Sequence, residues 1–597
     1  MNFDCVIIAN IDMLREDKKQ RINVFSSPKY TAHFLLNSLQ RNHYNIWNLI
    51  REMYQIKKVH KLLSQQNSML IQNERKEWNC IDLLNYIRAG KQVPHITPDT
   101  VKKYLTWFTD LTLNGCFLYS YLERNGLSCR LIQTFDYEPR TSLERIFASA
   151  PLVTVISTTF ITLDNILAIK EVSDYIKKHS PATKIILGSW ALYYNLTHYP
   201  EFLKVILNFC DFIIYEPQGY QTLLKLILTI KKNKDISQVN NLIYQTKGKI
   251  IRTPLKREKN SINDHPINWD KIIKIYKPRR VRIATSQGCP FTCRFCNFRE
   301  HPLEYKSIEV LRKELHTVKS AGINKIDFVD DLFCHPEERL IKICKMMLKE
   351  KFNFRWFCLS RASGLKKETI KLMAEAGCEL VNIGMESADP NVLFNIDKKT
   401  DVEQAYQQLE NFRKYGITIF CDFFIGFPGE TEETINNTLK FLNTACINAY
   451  SLFLFILQRG TLIDTPQMRE KFNLKGEYIA WNHYTGNSLK MVKKMSTFIR
   501  NVKDEILKVR GLEDIHILID EGYTSNDLKV LAKITKQLFT LGTKSKITPE
   551  DIEKSSRLIN QLEEFEYSHS KTLLKNNMVN KDRKMLSADK KVGSDSS

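Results

Sequence analysis

Long apolar stretches are missing from this sequence of 597 residues, and so are tracts rich in glycine and proline. No segment approaches the ~20 consecutive apolar residues that a membrane span needs. Glycine and proline contribute only 21 and 18 residues, which excludes a collagen-like or low-complexity chain. No internal repeat of solenoid period is present. At ~150 residues per domain the length corresponds to about four domains' worth of chain, and hydrophobic residues, at 43%, supply ample material for large cores.

The N-terminus lacks the features of a secretory leader, because Asp4 precedes a short apolar run and no basic lead-in is present. We therefore expect a cytoplasmic protein. The net charge of +22 comes from 88 lysines and arginines against 66 acidic residues, and the cations are scattered along the chain. This distribution favours a generally basic, solvated surface over nucleic-acid or membrane binding.

Cysteine usage points to metal chemistry. Fourteen cysteines in a cytoplasmic protein indicate thiols or metal centres rather than disulfides. Eleven of them are isolated and are interpreted as ordinary buried thiols. The other three stand on one short segment and decide the functional interpretation.

Residues 1–260 are predicted to form a doubly wound, Rossmann-like α/β domain with a mostly helical insertion at about 10–110. Short apolar runs predict strands of a parallel sheet that is buried on both faces, at 4–8, 129–134, 152–157, 184–187 and 211–215. Amphipathic segments between them predict the connecting helices. Ligands of such sheets bind at the carboxyl ends of the strands, where Thr158, Thr159, Gly188 and Ser189 lie.

Beyond a polar linker at 252–270, residues 275–470 alternate six predicted strands with helices. The predicted strands are 281–286, 325–329, 354–359, 380–385, 418–425 and 450–457. Six β/α units indicate a partial (β/α)6 barrel, an open relative of the TIM barrel. Residues 471–565 are predicted to be helical. The tail at 566–597 is rich in lysine, asparagine and serine and is predicted to be disordered.

The segment that follows the first predicted barrel strand contains Cys289, Cys293 and Cys296, a C-x3-C-x2-C spacing. Three thiolates on one loop can hold three corners of a cubic iron–sulfur cluster and leave the fourth iron free for substrate. A structural zinc site would want a fourth ligand, for which His301 is a poor candidate. The spacing therefore favours a 4Fe–4S cluster.

This loop resembles the signature of the radical S-adenosylmethionine (SAM) superfamily, including the aromatic Phe295 before the last cysteine. The resemblance implies that the three cysteines hold the cluster and that its open iron takes the amino and carboxylate groups of SAM. One electron then cleaves the sulfonium to give a 5′-deoxyadenosyl radical. The superfamily's partial barrel agrees with the six predicted β/α units.

The same resemblance implies SAM contacts at the carboxyl ends of the strands. An acid after the second strand would meet the methionine amino group, and an arginine after the third would meet the carboxylate. A glutamate after the fourth strand would accept from the ribose hydroxyls, and the turn after the fifth would face the adenine. The residues with implied SAM contacts are Phe295, Asp330, Ser360, Arg361, Glu386 and Pro428.

A doubly wound domain ahead of such a barrel resembles the cobalamin-binding branch of the superfamily. The resemblance implies a corrin between the two domains, against the loops that carry Thr158, Thr159, Gly188 and Ser189. The sequence has no D-x-H-x-x-G motif, so no histidine is assigned as a lower axial ligand.

Over roughly residues 1–500, the layout is similar to the branch that contains the P-methyltransferases of phosphinothricin-type biosynthesis. That branch tends to show W-x-H-x-T-M after the barrel, where this chain has Trp481, His483 and Thr485 followed by Gly486. His483 is either a residue that faces the substrate or corrin, or a structural residue.

These features predict a radical SAM enzyme, with cobalamin-dependent methylation of an unactivated carbon or phosphorus centre in a biosynthetic pathway as the main hypothesis. A non-methylating oxidoreductase, cyclase or epimerase is the alternative. A tRNA methylthiotransferase is the second, although it needs another cysteine triad in the N-terminal domain. The cysteines there, which do not form one by spacing, are Cys5, Cys80, Cys116, Cys129 and Cys210. The expected partners are a small-molecule or peptide substrate and an electron donor such as flavodoxin or ferredoxin.

Overall fold

A computed structural model of the chain describes residues 3–9, 11, 55, 58–59, 61–63, 68–71, 73–77, 80–90, 111–157 and 166–592. Two seven-stranded sheets dominate this part of the chain, one on each side of residue 260. Most of the predicted insertion at 10–110 lies outside the described residues, and so do Thr158 and Thr159.

The first sheet has five parallel strands followed by an antiparallel hairpin. In spatial order its strands are Cys129–Ile132, Cys5–Ile8, Val153–Ile156, Lys184–Leu187, Phe212–Ile214, Leu242–Thr246 and Lys249–Arg252. Two interior strands, Cys5–Ile8 and Val153–Ile156, are buried at every position, as expected for a sheet covered on both faces. The parallel α/β prediction is confirmed.

The antiparallel hairpin was not predicted. Its turn places Lys247 and Gly248 at φ +47° and +74°, a geometry that suits two-residue hairpin loops. The helices around this sheet are Leu113–Arg124, Arg140–Ala148, Ile166–His179, Trp190–His198, Leu203–Ile206 and Tyr220–Lys231. Trp190–His198 starts directly after a strand end and is called the rim helix below.

The second sheet contains all six predicted barrel strands in sequential, parallel order, with a seventh short strand at its far edge. The strands are Val281–Ile283, Lys325–Phe328, Arg355–Arg361, Cys378–Glu386, Thr418–Ile425, Ala449–Leu454 and Leu507–Lys508. The first and last strands do not pair with each other, so the barrel is open. The helices that cover it are Ile308–Ser320, Glu337–Lys349, Lys367–Glu375, Pro390–Ile396, Val402–Lys414, Glu432–Thr444 and Ser488–Asn501.

The amino-terminal end of the barrel is closed by two distant parts of the chain. One is a hairpin, Ser68–Ile71 with Glu74–Glu77, and the helix Cys80–Gly90 that follows it. The other consists of the helices Leu512–Asp520, Ser525–Gly542 and Pro549–Val592. Their buried apolar side chains form one cluster with Phe357, Leu380 and Phe420 from the barrel strands. These two parts are called the plug.

The described part of the insertion contains a hairpin beside its helix, and the mostly helical character of the insertion stays a prediction. The plug corrects one prediction. The disordered tail does not start at residue 566, because the last helix continues through Val592. Glu566 is fully buried, bonds to Arg88 Nε over 2.8 Å and accepts a hydrogen bond from Tyr523. A composition-based prediction of disorder cannot detect a single buried ion pair.

Among the described helices, none combines the length and the apolar character required to cross a membrane.

Candidate active site

The three clustered cysteines lie on a loop, residues 287–297, that leaves the first barrel strand at the carboxyl edge of the sheet. We call it the cysteine loop. Gly288 begins it with φ +74°, and a Cβ there would stand 2.7 Å from the backbone oxygen of His301. Only glycine fits this position, because both the conformation and the space exclude a side chain.

Two acids after the second barrel strand hold the start of the cysteine loop. Asp330 is almost fully buried, and its carboxylate accepts hydrogen bonds from the Thr285 backbone and hydroxyl and from the Ser286 backbone. Asp331 accepts from the Gly288 backbone over 2.8 Å. Asp330 therefore positions the loop, and its contact with the SAM amino group stays a prediction.

The donor set fits a cluster better than a single ion. Cys293 is buried, whereas Cys289 and Cys296 are half-buried. Burial raises the pKa of the Cys289 thiol and raises that of Cys296 to about 12. Within the described part of the chain, no three potential ligands converge on one metal-ion position. Three thiols spread over one loop suit a cubane, which separates its ligands more widely than zinc does.

Arg361 reaches the cysteine loop from the end of the third barrel strand. Its guanidinium lies 3.9 Å from the centre of the Phe291 ring, and Nη1 lies 4.0 Å from Cys293 Sγ. Its Nη2 is buried without a hydrogen-bond partner. A buried donor that is left unsatisfied beside the loop fits an absent anion, and a carboxylate suits the arginine fork. The neighbouring Ser360 donates its hydroxyl to the Arg361 carbonyl over 3.0 Å.

Glu386 ends the fourth barrel strand in a left-handed conformation, φ +66°. Its Oε1 accepts a 2.9 Å hydrogen bond from Lys398, a buried lysine that sequence reasoning missed. The Lys398 charge also lowers the pKa of Cys296, although burial of that thiol outweighs it. Lys398 therefore belongs to this site, because it contacts the residue predicted to bind the ribose and its charge acts on a cluster cysteine. No spacing signal in the sequence connects Lys398 with either residue.

A polar layer lies deeper in the barrel. Asp422 on the fifth strand accepts from Ser451 on the sixth, and burial raises the pKa of this carboxyl to about 6. Asn382 on the fourth strand is buried, and its Oδ1 has no hydrogen-bond partner. Phe453 shares the inner face with Ser451 through strand register, yet it is 47% exposed. The barrel interior is therefore open above this layer.

The turn Gly426–Gly429 follows the fifth strand and includes Pro428, whose carbonyl accepts from Asn395 Nδ2 over 3.1 Å. We call it the glycine turn. Gly426 donates its backbone N–H to Glu430, and burial raises the pKa of this glutamate to about 8. Gly426 and Gly429 both have positive φ, at +106° and +102°. Phe295 of the cysteine loop lies nearby, with its ring 5.0 Å from that of Phe424.

The Trp481-Asn482-His483 motif supports the glycine turn from outside. A Cβ on Gly426 would stand 2.5 Å from the Trp481 ring. His483 Nε2 lies 3.0 Å from the Gly426 carbonyl, so it is the protonated nitrogen, and Nδ1 accepts from Thr485. Thr485 in turn accepts from the Gly429 backbone over 3.2 Å. Burial lowers the pKa of His483 to about 4. His483 is thus a neutral residue that positions this turn.

The predicted cobalamin edge of the first sheet contacts the segment directly after the cysteine loop through the rim helix. A Cβ on Gly188 would stand 3.2 Å from Ile214, so packing within the sheet explains this glycine. Ser189 caps the rim helix by accepting from Leu192. Trp190 meets His301 with ring centres 4.0 Å apart, and His301 Nε2 is buried without a hydrogen-bond partner.

Residues 283–442 match the family model described as the radical SAM superfamily, so the chain contains a radical SAM domain. It is an enzyme of the radical SAM type, and this domain implies a 4Fe–4S cluster and SAM as its cofactors.

Two curated relatives show which kinds of protein the chain is similar to beyond this domain match. The chain is 29% identical over 343 residues to an uncharacterised methyltransferase of Pyrococcus horikoshii, with 54% of this chain and 69% of that protein covered. It is 26% identical over 263 residues to an anaerobic magnesium-protoporphyrin IX monomethyl ester cyclase of Rubrivivax gelatinosus. That match covers 40% of this chain and less than half of the cyclase, 46%.

Among solved structures, the radical SAM methyltransferase TsrM from Kitasatospora setae is similar to this chain, with a TM-score of 0.48 and 16% identity. The match covers 59% of this chain and 71% of TsrM.

Proposed function

We propose that this protein is a cobalamin-dependent methyltransferase that uses its radical SAM domain to methylate an unactivated carbon or phosphorus centre. The observation that carries the proposal is the meeting of the first sheet's carboxyl edge with the segment directly after the cysteine loop, through the rim helix. Trp190 touches His301, and Tyr194 donates to the Arg459 carbonyl beyond the sixth barrel strand. The similarity to an uncharacterised methyltransferase supports methyl transfer.

In this proposal, the polar groups on the rim of the barrel bind the different parts of SAM. When bound, the cluster would supply the electron that cleaves SAM. Arg361 Nη2 is free to bind the SAM carboxylate beside the cysteine loop. Glu386, held by Lys398, accepts from the ribose hydroxyls. The glycine turn, held by His483, offers backbone groups to the adenine. The open interior beside Phe453 leaves room for substrate, and the barrel wall keeps water away from it.

Cobalamin would lie between the first sheet and the barrel, at the point where strand order reverses. The chain passes from Cys5–Ile8 to Cys129–Ile132 on one side and then to Val153–Ile156 on the other. Ligands of doubly wound sheets bind at such a switch point. Asn114 Oδ1 is buried there without a hydrogen-bond partner among the described residues, next to the Ser157 carbonyl that its amide contacts. This orphaned acceptor fits a ligand with amide donors, such as those at the corrin edge.

The proposal is tested by product analysis on anaerobically reconstituted protein. With hydroxocobalamin, SAM and a reductant, the protein should retain a corrin spectrum through desalting and form S-adenosylhomocysteine together with 5′-deoxyadenosine. Protein that cleaves SAM but retains no corrin and forms no S-adenosylhomocysteine would rule out the methyltransferase.

Protein that cleaves SAM without forming S-adenosylhomocysteine would favour the other candidate, a non-methylating radical SAM enzyme such as a cyclase. The similarity to the magnesium-protoporphyrin ester cyclase supports this candidate. A methylthiotransferase gains no support from the described part of the N-terminal domain. Cys5 and Cys129 lie opposite each other on neighbouring strands there, and the cysteines of this domain have no triad spacing in the sequence.

A further inference from the structure

Two strongly exposed aromatic side chains lie beside the glycine turn, and one of them is on a segment bonded to the cysteine loop. Phe394, on the helix Pro390–Ile396, is 73% exposed, and Tyr484 is 56% exposed. They flank the glycine turn: Asn395, the neighbour of Phe394, bonds to the Pro428 carbonyl, and the Tyr484 hydroxyl lies 3.1 Å from the position of a Cβ on Gly429. We call this surface the aromatic patch.

The aromatic patch is connected to the cluster ligands by short hydrogen bonds. The Arg294 backbone N–H donates to the Ile396 carbonyl over 2.8 Å, and its guanidinium donates to the Phe394 and Asn395 carbonyls over 3.0 and 2.6 Å. On the other side of Cys293, Thr292 donates to Asp397 over 2.7 Å. The segment that presents Phe394 is therefore bonded to both neighbours of a cluster cysteine.

Cations surround the aromatic patch. Lys399 is 67% exposed in its side chain and pairs with Asp397. Exposed Lys471 lies 5.0 Å from the Phe472 ring, on which Tyr484 stacks at 6.2 Å. With Arg294, three cations border the aromatic patch, on a chain of net charge +22. An apolar centre with a cationic border complements a partner that has an apolar centre and an acidic border.

We propose that the aromatic patch is the docking surface for a flavodoxin, an acidic electron carrier that presents the apolar edge of its flavin among carboxylates. This inference rests on the proposed function in one respect, because the proposed reaction requires that the cluster receives an electron. The reduced flavin is oxidised by one electron, and the cluster held by Cys289, Cys293 and Cys296 is reduced by one electron. No proton moves and no covalent bond forms or breaks. Contact at Phe394 places the flavin beside the loop that carries Cys293.

The test compares two routes of reduction in the reconstituted full-length protein. Phe394→Ser removes the most exposed aromatic side chain, and a second variant adds Lys471→Glu. Neither side chain takes part in the proposed SAM or cluster contacts. The matched control is Tyr567→Ser, because Tyr567 is also exposed and has Lys571 4.3 Å from its ring, but it lies on the last helix, which belongs to the plug.

Stopped-flow absorbance follows cluster reduction by reduced flavodoxin and, separately, by dithionite. We expect the flavodoxin rate constant to fall about five-fold in Phe394→Ser and further in the double variant. Raising the salt concentration should slow the wild-type reaction and reduce these differences, because screening weakens charge steering. The dithionite rate and dithionite-driven SAM cleavage should stay unchanged in every variant.

Equal flavodoxin rates in wild type and variants would overturn the docking proposal, and so would a change in oligomeric state on ultracentrifugation without a change in rate. The latter outcome would make the patch a self-association surface. Failure of dithionite to support SAM cleavage in the wild type would instead refute the proposed function, so the two failures are distinguishable.

Discussion

Lys398 donates a 2.9 Å hydrogen bond to Glu386, and the two charged groups meet above Gly384. A Cβ on that glycine would stand 2.7 Å from the glutamate oxygen and 3.1 Å from the lysine nitrogen. The pair is largely buried, with 8% and 12% of the lysine and glutamate side chains exposed. Gly384 therefore leaves the space that the pair occupies, and the lysine fixes the direction of the carboxylate.

Replacing Lys398 by Met should weaken SAM binding while the iron content stays unchanged. The substitution leaves the Glu386 carboxylate partly buried and free to rotate away from the ribose. Loss of a hydrogen bond to a charged group costs ~1.5–3 kcal/mol, or roughly ten-fold or more in affinity. Equilibrium dialysis measures the change. Lys399→Met is the control, because that lysine is adjacent and exposed. Equal affinity of both variants for SAM would show that Lys398 has only a structural role.

Replacing Cys289, Cys293 and Cys296 together by Ala should abolish cluster binding. Anaerobically reconstituted wild type should contain roughly four irons per chain, the number in a cubane, and the triple variant almost none. Iron and sulfide assays check this. Cys446→Ala serves as the control, since Cys446 is also half-buried but bonds to Glu410 on the outer surface. A triple variant that kept its iron would refute the assignment of the cluster ligands.

The neutral state of His483 should make part of the stability depend on pH. Its folded pKa is about 4, below the ordinary value of 6.5, so on acidification the unfolded chain takes up a proton first. Stability is therefore lost as the pH falls from about 7 to 4, by about 2 kcal/mol at pH 5.

His483→Gln, which keeps a donor toward the Gly426 carbonyl, should show a smaller difference in melting temperature between pH 7 and pH 5 than wild type. His483→Phe lacks the donor and should also weaken SAM binding, whereas the Gln variant should largely restore it. A pH difference of the same size in all three proteins would contradict the role given to this residue.

Glu566→Ala should destabilise the protein although it lies in a segment whose composition predicts disorder. The change removes one of the two carboxylates that neutralise buried Arg88 and the acceptor of the Tyr523 hydroxyl. Breaking a buried pair costs roughly 3–5 kcal/mol, and the remaining Glu521 pair should hold the loss near the lower end of that range. Denaturant unfolding measures it. The control is Glu564→Ala, which changes an exposed neighbour and should have no effect. Equal stability of the two variants would support the prediction of a disordered tail from residue 566.

The strands were predictable because buried parallel strands are short, continuous apolar runs, and Thr418–Ile425 is found with the predicted bounds. The cysteine loop was predictable because ligand spacing is local in sequence. Lys398 was not, because its contact with Glu386 spans a helix and depends on how that helix returns to the barrel. Gly188 lies at its strand end as predicted; packing against Ile214 accounts for the glycine, and its contact with cobalamin stays a prediction.

The plug has a consequence for how the chain reaches its native state. Arg88 and Glu566 are separated by 478 positions, and the Leu70 carbonyl accepts from Ser555 over a separation of 485. Contacts of such high order form late, because closing a long loop costs entropy before any contact is gained. During synthesis the barrel strands emerge well before the last helix, so the cluster around Phe357, Leu380 and Phe420 still lacks the C-terminal part of the plug. The nascent barrel is thus an intermediate with exposed apolar surface, and its productive folding should depend on chaperones until the ribosome releases the C-terminal helix.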